Sequence, residues 1–202
     1  MAIRFRYQNL TEGPILKKLI AFAVPMMVGN LLQQVYNLTD TIIVGRAVGR
    51  EALAAVGASY SLMTFLTSVM IGLCMGCSAC MAMSYGADRP EEMREKIWAS
   101  FWMIGGVTAA IIITVYAFEI PILHILRVPE DTFELMREYL KIIFGGIVFT
   151  FLYNYFAFLL RAVGNSVIPL LYLGSASILN IFLDIRLVLG AGLGVKGAAI
   201  AT

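Results

Sequence analysis

Charge is what this chain has least of. Only 14% of its 202 residues are Asp, Glu, Lys or Arg, against 60% hydrophobic residues, and the mean hydropathy is +0.84. Soluble domains carry about 25% charge and about 45–50% apolar residues, so this composition argues against a water-soluble globular domain. Histidine occurs once, as His124, which rules out a multi-histidine metal centre within the chain. Cysteine occurs three times, as Cys74, Cys77 and Cys80. An iron–sulfur run needs a fourth thiolate, so the i, i+3, i+6 spacing beside Gly72 and Gly76 predicts a small-residue packing face of a membrane helix. The net charge is only +2, and no basic stripe interleaves with aromatics, so nucleic acid is not an expected partner. The N-terminal MAIRFRYQNLTEGP lacks the apolar core and cleavage site of a signal peptide; the first span is expected to direct insertion. No nucleophile–base pair stands out in the apolar runs. Neither an enzyme nor a cofactor is expected.

What the chain does have is long charge-free runs, at 19–39, 52–87, 97–118, 142–160 and 162–183, with a sixth opening at Gly197. Roughly 20 apolar residues cross a bilayer as a helix. The reading is an all-α integral membrane protein, with 1–202 as one transmembrane lobe. Its spans fall at about 15–44, 53–85, 93–118, 139–160 and 167–190, and a sixth at 195–202 is incomplete. Pro14 suits a first helical position, and Pro25 inside span one predicts a kink and a hinge. Asp88 before Pro90, followed by Glu91 and Glu92, predicts a cap and an acidic first turn. Residues 121–128, which include His124, read as a short interfacial segment, with that histidine an ordinary surface residue. Gly192-Leu-Gly194-Val-Lys-Gly197 matches a dinucleotide fingerprint but lacks the strand that would give it meaning. It reads as a tight turn between membrane helices. Lys and Arg divide almost evenly between the two sides. The cations Arg4, Arg6, Lys17 and Lys18 around the first span place the N-terminus in the cytoplasm, in a cell (inner) membrane.

Two carboxylates interrupt this economy of charge: Asp40 ends the first run and Asp184 the fifth. A carboxylate within a span costs at least a few kcal/mol and by default marks an ion or substrate path. Asp40 lies six residues before Arg46, Asp184 six before Gly190, and Thr202 six after Lys196, so each sits roughly 9 Å inside a helix end on the same side. Asn180 is one turn from Asp184 on the same face. If spans one, five and six are neighbours, Asp40, Asn180, Asp184 and Thr202 meet in one layer. Such an all-oxygen set suits a hard cation or a proton. The plainer alternative is that each acid merely solvates a helix end. Tyr36, one turn before Asp40, can reach the layer, and Gln34 adds polarity to span one. Asn154, deep in span four, reads either as an interhelical hydrogen bond or as part of a cavity wall. The sequon at Asn37-Leu-Thr39 lies within a span and is dismissed.

The stretch from Pro25 through Asn37-Leu-Thr-Asp40-Thr-Ile-Ile-Val-Gly45-Arg46, followed by Ala52-Leu-Ala-Ala-Val-Gly57, resembles the signature of multidrug and toxic compound extrusion transporters. Arg161-Ala-Val-Gly164-Asn165 with Pro169, and Asn180-Ile-Phe-Leu-Asp184 with Gly197-Ala-Ala-Ile-Ala-Thr202, are similar to further parts of that family's pattern. The resemblance implies a pseudo-symmetric twelve-helix transporter of two lobes. This chain would be the N-terminal six-helix lobe, with its sixth helix truncated and the C-terminal lobe missing. It implies efflux of small organic cations by proton or sodium antiport. In one subgroup the coupling ion is held at positions that fall on Asp40, Asn180, Asp184 and Thr202, which would also be the sodium ligands. Arg186 stands where an apolar residue is usual; it is expected to snorkel outward, whereas pairing with Asp184 would displace a bound cation. Two other readings stay open: a lipid-linked oligosaccharide flippase of related fold, or a truncated non-transporting membrane fragment. The flippase should have a strongly cationic cavity, and the spans hold no mid-membrane Arg or Lys.

Overall fold

The computed structural model describes residues 14–47, 49–125, 128 and 130–202. Arg4, Arg6 and Arg127 lie outside the described residues, and with them part of the charge count behind the orientation. Seven α-helices follow one another: α1 (Ile15–Ala47), α2 (Arg50–Gly86), α3 (Pro90–Ala117), α4 (Glu119–Ile125), α5 (Glu130–Ala162), α6 (Val167–Asp184) and α7 (Gly194–Ala201). A π-helical segment, Ile185–Gly190, continues α6. Among the described residues, five stretches are long and apolar enough to cross a bilayer, namely Ile15–Arg46, Ser59–Gly86, Pro90–Ala117, Thr132–Ala162 and Val167–Gly190. The chain is therefore a multi-pass membrane protein.

The expected six helices become seven among the described residues. The additional one is α4, which falls largely on the predicted interfacial segment. The last, α7, has eight residues, far fewer than a crossing needs. The fourth span was expected from 139, yet α5 starts at Glu130. Hydropathy ends where Glu134, Arg137, Glu138 and Lys141 begin, but backbone hydrogen bonding continues through them because those charges pair off. Arg137 Nε lies 2.6 Å and Lys141 Nζ 3.6 Å from Glu119 Oε1. The same contacts hold the start of α4 against α5, and Tyr116 donates to the Lys141 carbonyl at 2.8 Å. His124 is exposed, with its ring 5.6 Å from that of Phe133.

The larger core joins α2, α3, α4 and α5 around Met70, Met81, Ile104, Leu123, Phe144 and Ile147. Polar contacts sit inside it. Ser78 Oγ donates to the Phe158 carbonyl at 3.1 Å, and Tyr155 donates to the Ile97 carbonyl at 2.6 Å. Cys74 is buried here, Cys77 is half-buried and Cys80 is exposed. The predicted small-residue face is only partly formed, because a Cβ built on Gly72 or Gly76 meets nothing within 4 Å. Two residues are about 200° of helix, so these glycines point away from the side on which Cys74 packs.

Helix ends show what local sequence achieves. The cap expected from Asp88 is not formed. Asp88 takes φ 53 in the turn, and Arg89 precedes Pro90 with no side-chain cap. Glu91 and Glu92 do occupy the first turn, and Glu92 accepts from Lys96 at 2.8 Å. At α6, Asn165 Oδ1 accepts from the amides of Val167 and Ile168 at 3.2 and 3.1 Å, satisfying two of the orphan donors. Pro25 lies inside α1, which runs unbroken past it. Gly192 and Gly194 have φ 65 and φ 56, a backbone that glycine adopts without steric cost, and they turn the chain from the π segment into α7.

Helix α1 packs chiefly along α6. A second apolar cluster, with Val44, Val56, Tyr139, Ile143, Val188, Val195, Ala198 and Ala199, joins α1, α2, α5, the π segment and α7. It lies at the end of the bundle that carries the α1–α2 turn. Both acids singled out in the sequence are one turn from members of this cluster, Asp40 from Val44 and Asp184 from Val188.

Candidate functional site

Asp184 is 0% exposed, and Asp40 and Asn180 are 8% exposed. The buried face of α6 is made by Pro169, Ser177, Asn180 and Asp184. The last three follow helical spacing, so one side of α6 carries polar groups inward. Asn180 Nδ2 donates to the Ala201 carbonyl at 3.1 Å, which ties α6 to the end of α7. Asp40 Oδ1, Asn180 Oδ1 and both carboxylate oxygens of Asp184 are buried without a hydrogen-bond partner. Asp184 lies within electrostatic reach of Asp40. An unpaired buried charge costs several kcal/mol, so orphan acceptor oxygens around two neighbouring acids suit a proton or a hard cation. Among the described residues no group of three or more His, Cys, Asp or Glu could hold a metal ion, and the donor set, all oxygen, does not suit a soft transition metal.

The π segment begins directly after Asp184. Such wide turns are rare and frequent at functional sites. Gly197 of α7 lets the two segments touch, since a Cβ there would stand 3.0 Å from the Leu187 carbonyl carbon and oxygen. Arg186 is exposed, with its guanidinium 5.9 Å from the Phe182 ring. It makes no ion pair with Asp184, whose oxygens are both unpartnered.

The other sequence candidates fall unevenly around this layer. Tyr36 is half-buried and within reach of Asp40. Gln34 is exposed and accepts from Asn37 at 3.4 Å. Thr202 is exposed, and its hydroxyl donates to the Ala198 carbonyl of its own helix at 3.0 Å; its lone pairs stay available. Asn154 makes no interhelical bond through its amide, which donates to the Thr150 carbonyl one turn back at 2.8 Å. A short polar side chain in a helix often takes this local option.

One residue was missed. Tyr139 of α5 is 7% exposed and lies within electrostatic reach of Asp40, Asp184 and Tyr36. In the sequence it only marked where span four began. A depth count would not have found it, because the sequence reading puts Tyr139 at the start of span four, before Lys141, and not six residues inside it.

A model of the MatE family matches residues 25–185. The probable multidrug resistance protein YpnP of Bacillus subtilis (strain 168) is 30% identical over 194 residues, which cover 96% of this chain and 44% of YpnP. A solved MOP superfamily transporter from Pyrococcus furiosus, whose binding pocket has a reverse polarity that suggests a different function, superposes with a TM-score of 0.89 at 28% identity, over 98% of this chain and 44% of that one. A MATE structure in the bent conformation gives a TM-score of 0.87 at 29% identity, over 94% of this chain and 42% of that one. The chain thus spans less than half the length of the relatives it matches.

Proposed function

The chain belongs to the MatE family, and we propose that it serves secondary active efflux of small organic cations by proton or sodium antiport, with the coupling ion at Asp40, Asn180, Asp184 and Thr202. The observation that carries this reading is the set of unpartnered, buried oxygens of Asp40 and Asp184, on α1 and at the end of α6. A proton or sodium ion between them neutralises a repulsion that folding alone leaves standing. Asn180 Oδ1 has free lone pairs for the same ion, while its Nδ2 keeps α7 in register. The Thr202 hydroxyl oxygen can accept or coordinate while its proton stays on Ala198.

Transport follows if two arrangements of the bundle differ in affinity for that ion, since a ligand shifts an equilibrium only by differential affinity. The membrane potential supplies about 2.3 kcal/mol per charge per 100 mV. Pro25 removes one backbone donor inside α1, which makes it the natural hinge of that helix. The bent conformation of a similar MATE structure fits a fold with more than one shape. The multidrug class of substrate is proposed by likeness to YpnP. The greater length of the relatives fits a second set of helices facing this lobe and completing the substrate cavity. The N-terminus is assigned to the cytoplasmic side of a cell membrane. No catalytic step and no cofactor is invoked. A lipid-linked oligosaccharide flippase is disfavoured, because no Lys or Arg falls in the runs 142–160 or 162–183 to meet a pyrophosphate.

The test is efflux of a fluorescent organic cation from vesicles under an imposed proton or sodium gradient. Asp40→Asn and Asp184→Asn are expected to abolish the gradient-driven component. Full retention of that component in either variant overturns the residue's coupling role.

A further inference from the structure

A cation at the end of a membrane span usually extends to water. Arg161, in the last turn of α5, does not. Its guanidinium folds back over the preceding turn, 4.9 Å from the Phe158 ring centroid, and Nε is buried without a hydrogen-bond partner. Among the described residues it is the one cation in that condition. The Tyr153 hydroxyl lies within electrostatic reach of it, but no carboxylate among the described residues pairs with it. Its basic neighbours fare differently. Ser78 of α2 donates to the Phe158 carbonyl at 3.1 Å, so the α2–α3 turn lies at the same end of the bundle as the α5–α6 turn. There Arg89 and Lys96 pair with Glu92, and Arg94 pairs with Glu91. A desolvated charge left unpaired is costly, so Arg161 calls for an anion that the described residues do not supply.

Depth indicates which anion. The span Thr132–Ala162 has 31 residues, roughly 46 Å of helix, against a bilayer with about 30 Å of hydrocarbon and about 40–45 Å in all. Arg161 is its penultimate residue, and the side chain turns back by about one helical turn, roughly 5 Å. For a span centred in the bilayer the guanidinium then lies about 16 Å from the midplane, just outside the hydrocarbon and level with the headgroups. We propose that Arg161 binds the phosphate of an anionic phospholipid at this end of α5, through the fork of Nε and one Nη. The headgroup supplies the missing counter-charge and draws the guanidinium off the Phe158 ring. A planar fork meets two phosphate oxygens at once, which a lysine cannot do. The site stands apart from the carboxylate layer, since Arg161 lies just before α6 begins and Asp184 closes that helix. It does not depend on the coupling reading.

The full chain in dodecyl maltoside micelles is titrated with phosphatidylglycerol, and retained lipid is read by native mass spectrometry. Arg161→Gln is expected to weaken retention of the first lipid by at least about 10-fold, the loss of a charge-assisted hydrogen bond. Arg161→Lys should fall between that variant and the parent. Arg94→Gln removes a charge of the same sign at the same end, one already paired with Glu91, and should stay within about two-fold of the parent. Equal weakening by Arg161→Gln and Arg94→Gln, or none by either, overturns the site. A second readout needs no variant. Phenylglyoxal, which modifies accessible guanidinium groups, is applied to the unsubstituted chain and followed by peptide mass spectrometry. Phosphatidylglycerol should slow modification of Arg161 by about 10-fold relative to Arg94, and inorganic phosphate should not. Equal protection by inorganic phosphate overturns the lipid as occupant, and protection by neither overturns the anion site. An Arg161 that never reacts, even without lipid, is sealed from any headgroup and overturns it as well.

Discussion

Gly197 offers the sharpest test of how this lobe is packed. A methyl group added there would stand 3.0 Å from the carbonyl carbon and oxygen of Leu187 and 3.2 Å from Leu193 Cβ. Backbone atoms cannot swing aside as a side-chain tip can, and these are pinned. Leu193 donates to the Leu187 carbonyl at 3.0 Å, and Ala191 to the Arg186 carbonyl at 2.9 Å. The π segment and α7 must therefore move apart by a few tenths of an ångström. Overpacking of this kind costs about 1–3 kcal/mol, partly offset by the gain of about 1 kcal/mol when alanine replaces a helical glycine. The proper reference is Gly76→Ala, which receives the same helix gain and meets nothing within 4 Å. The difference between the two variants isolates the clash at about 1–3 kcal/mol, with Gly197→Ala the less stable. Equilibrium unfolding of both variants in mixed micelles measures it. Equal stability would mean that α7 does not rest on the π segment, and the link from Asn180 to Ala201 would then lose its support.

Three further outcomes are expected. Asn165→Ala removes the acceptor for two α6 amides and should destabilise by about 0.5–2 kcal/mol in the same unfolding assay, with Asn165→Asp close to the parent. Glu119→Gln weakens the contacts to Arg137 and Lys141; a loss of about 1 kcal/mol should make amide exchange across Glu119–Ile125 about five-fold faster without changing α2 or α3. Tyr139→Phe keeps the ring in the packed layer and deletes only the hydroxyl, so unfolding should match the parent while gradient-driven efflux falls; unchanged efflux would remove that hydroxyl from the site.

Helices were legible in the sequence wherever charge was absent, because a bilayer-length run leaves the backbone no other way to satisfy its hydrogen bonds. What lay past those runs was harder to read. The first turns of α5 are charged, and the pairing of Arg137 with Glu119 across sequence carries no local signal. The π segment gave no warning either, since Ile185–Gly190 has the composition of any apolar helix. Gly197 was read as part of a turn, yet its turn partners are Gly192 and Gly194 with positive φ, and Gly197 itself serves a close helix contact. Asp40 and Asp184 stood out because a charge in an apolar run has few structural excuses. Tyr139 did not, since tyrosine is common at a membrane interface and nothing in its neighbourhood marks it as buried. Asn154 was conspicuous for the same reason as the acids, but its amide found a carbonyl in its own helix.

The placement of the two acids relative to the two cores bears on how an ion could move the bundle. The larger core locks α2, α3, α4 and α5 together, and among the described residues none of its members comes from α1 or α6. Those two helices pack mainly on each other, and α1 leaves Leu16, Met27, Leu31 and Leu38 more than 60% exposed. Asp40 and Asp184 both belong to this lightly held pair, whereas Tyr139 belongs to the locked block. On the proposed coupling site, an ion that bridges the acids would tighten the α1–α6 pair internally, while the packing of Tyr139 with Val44 and Val188 would set where the pair sits against α5. The proposed site would then couple cation occupancy to the position of α1 and α6 as a unit. A cross-link from α1 to α6 near Asp40 should then leave gradient-driven efflux largely intact, whereas one from α1 to α5 near Tyr139 should stop it. Equal inhibition by both would show that the pair does not move as one body.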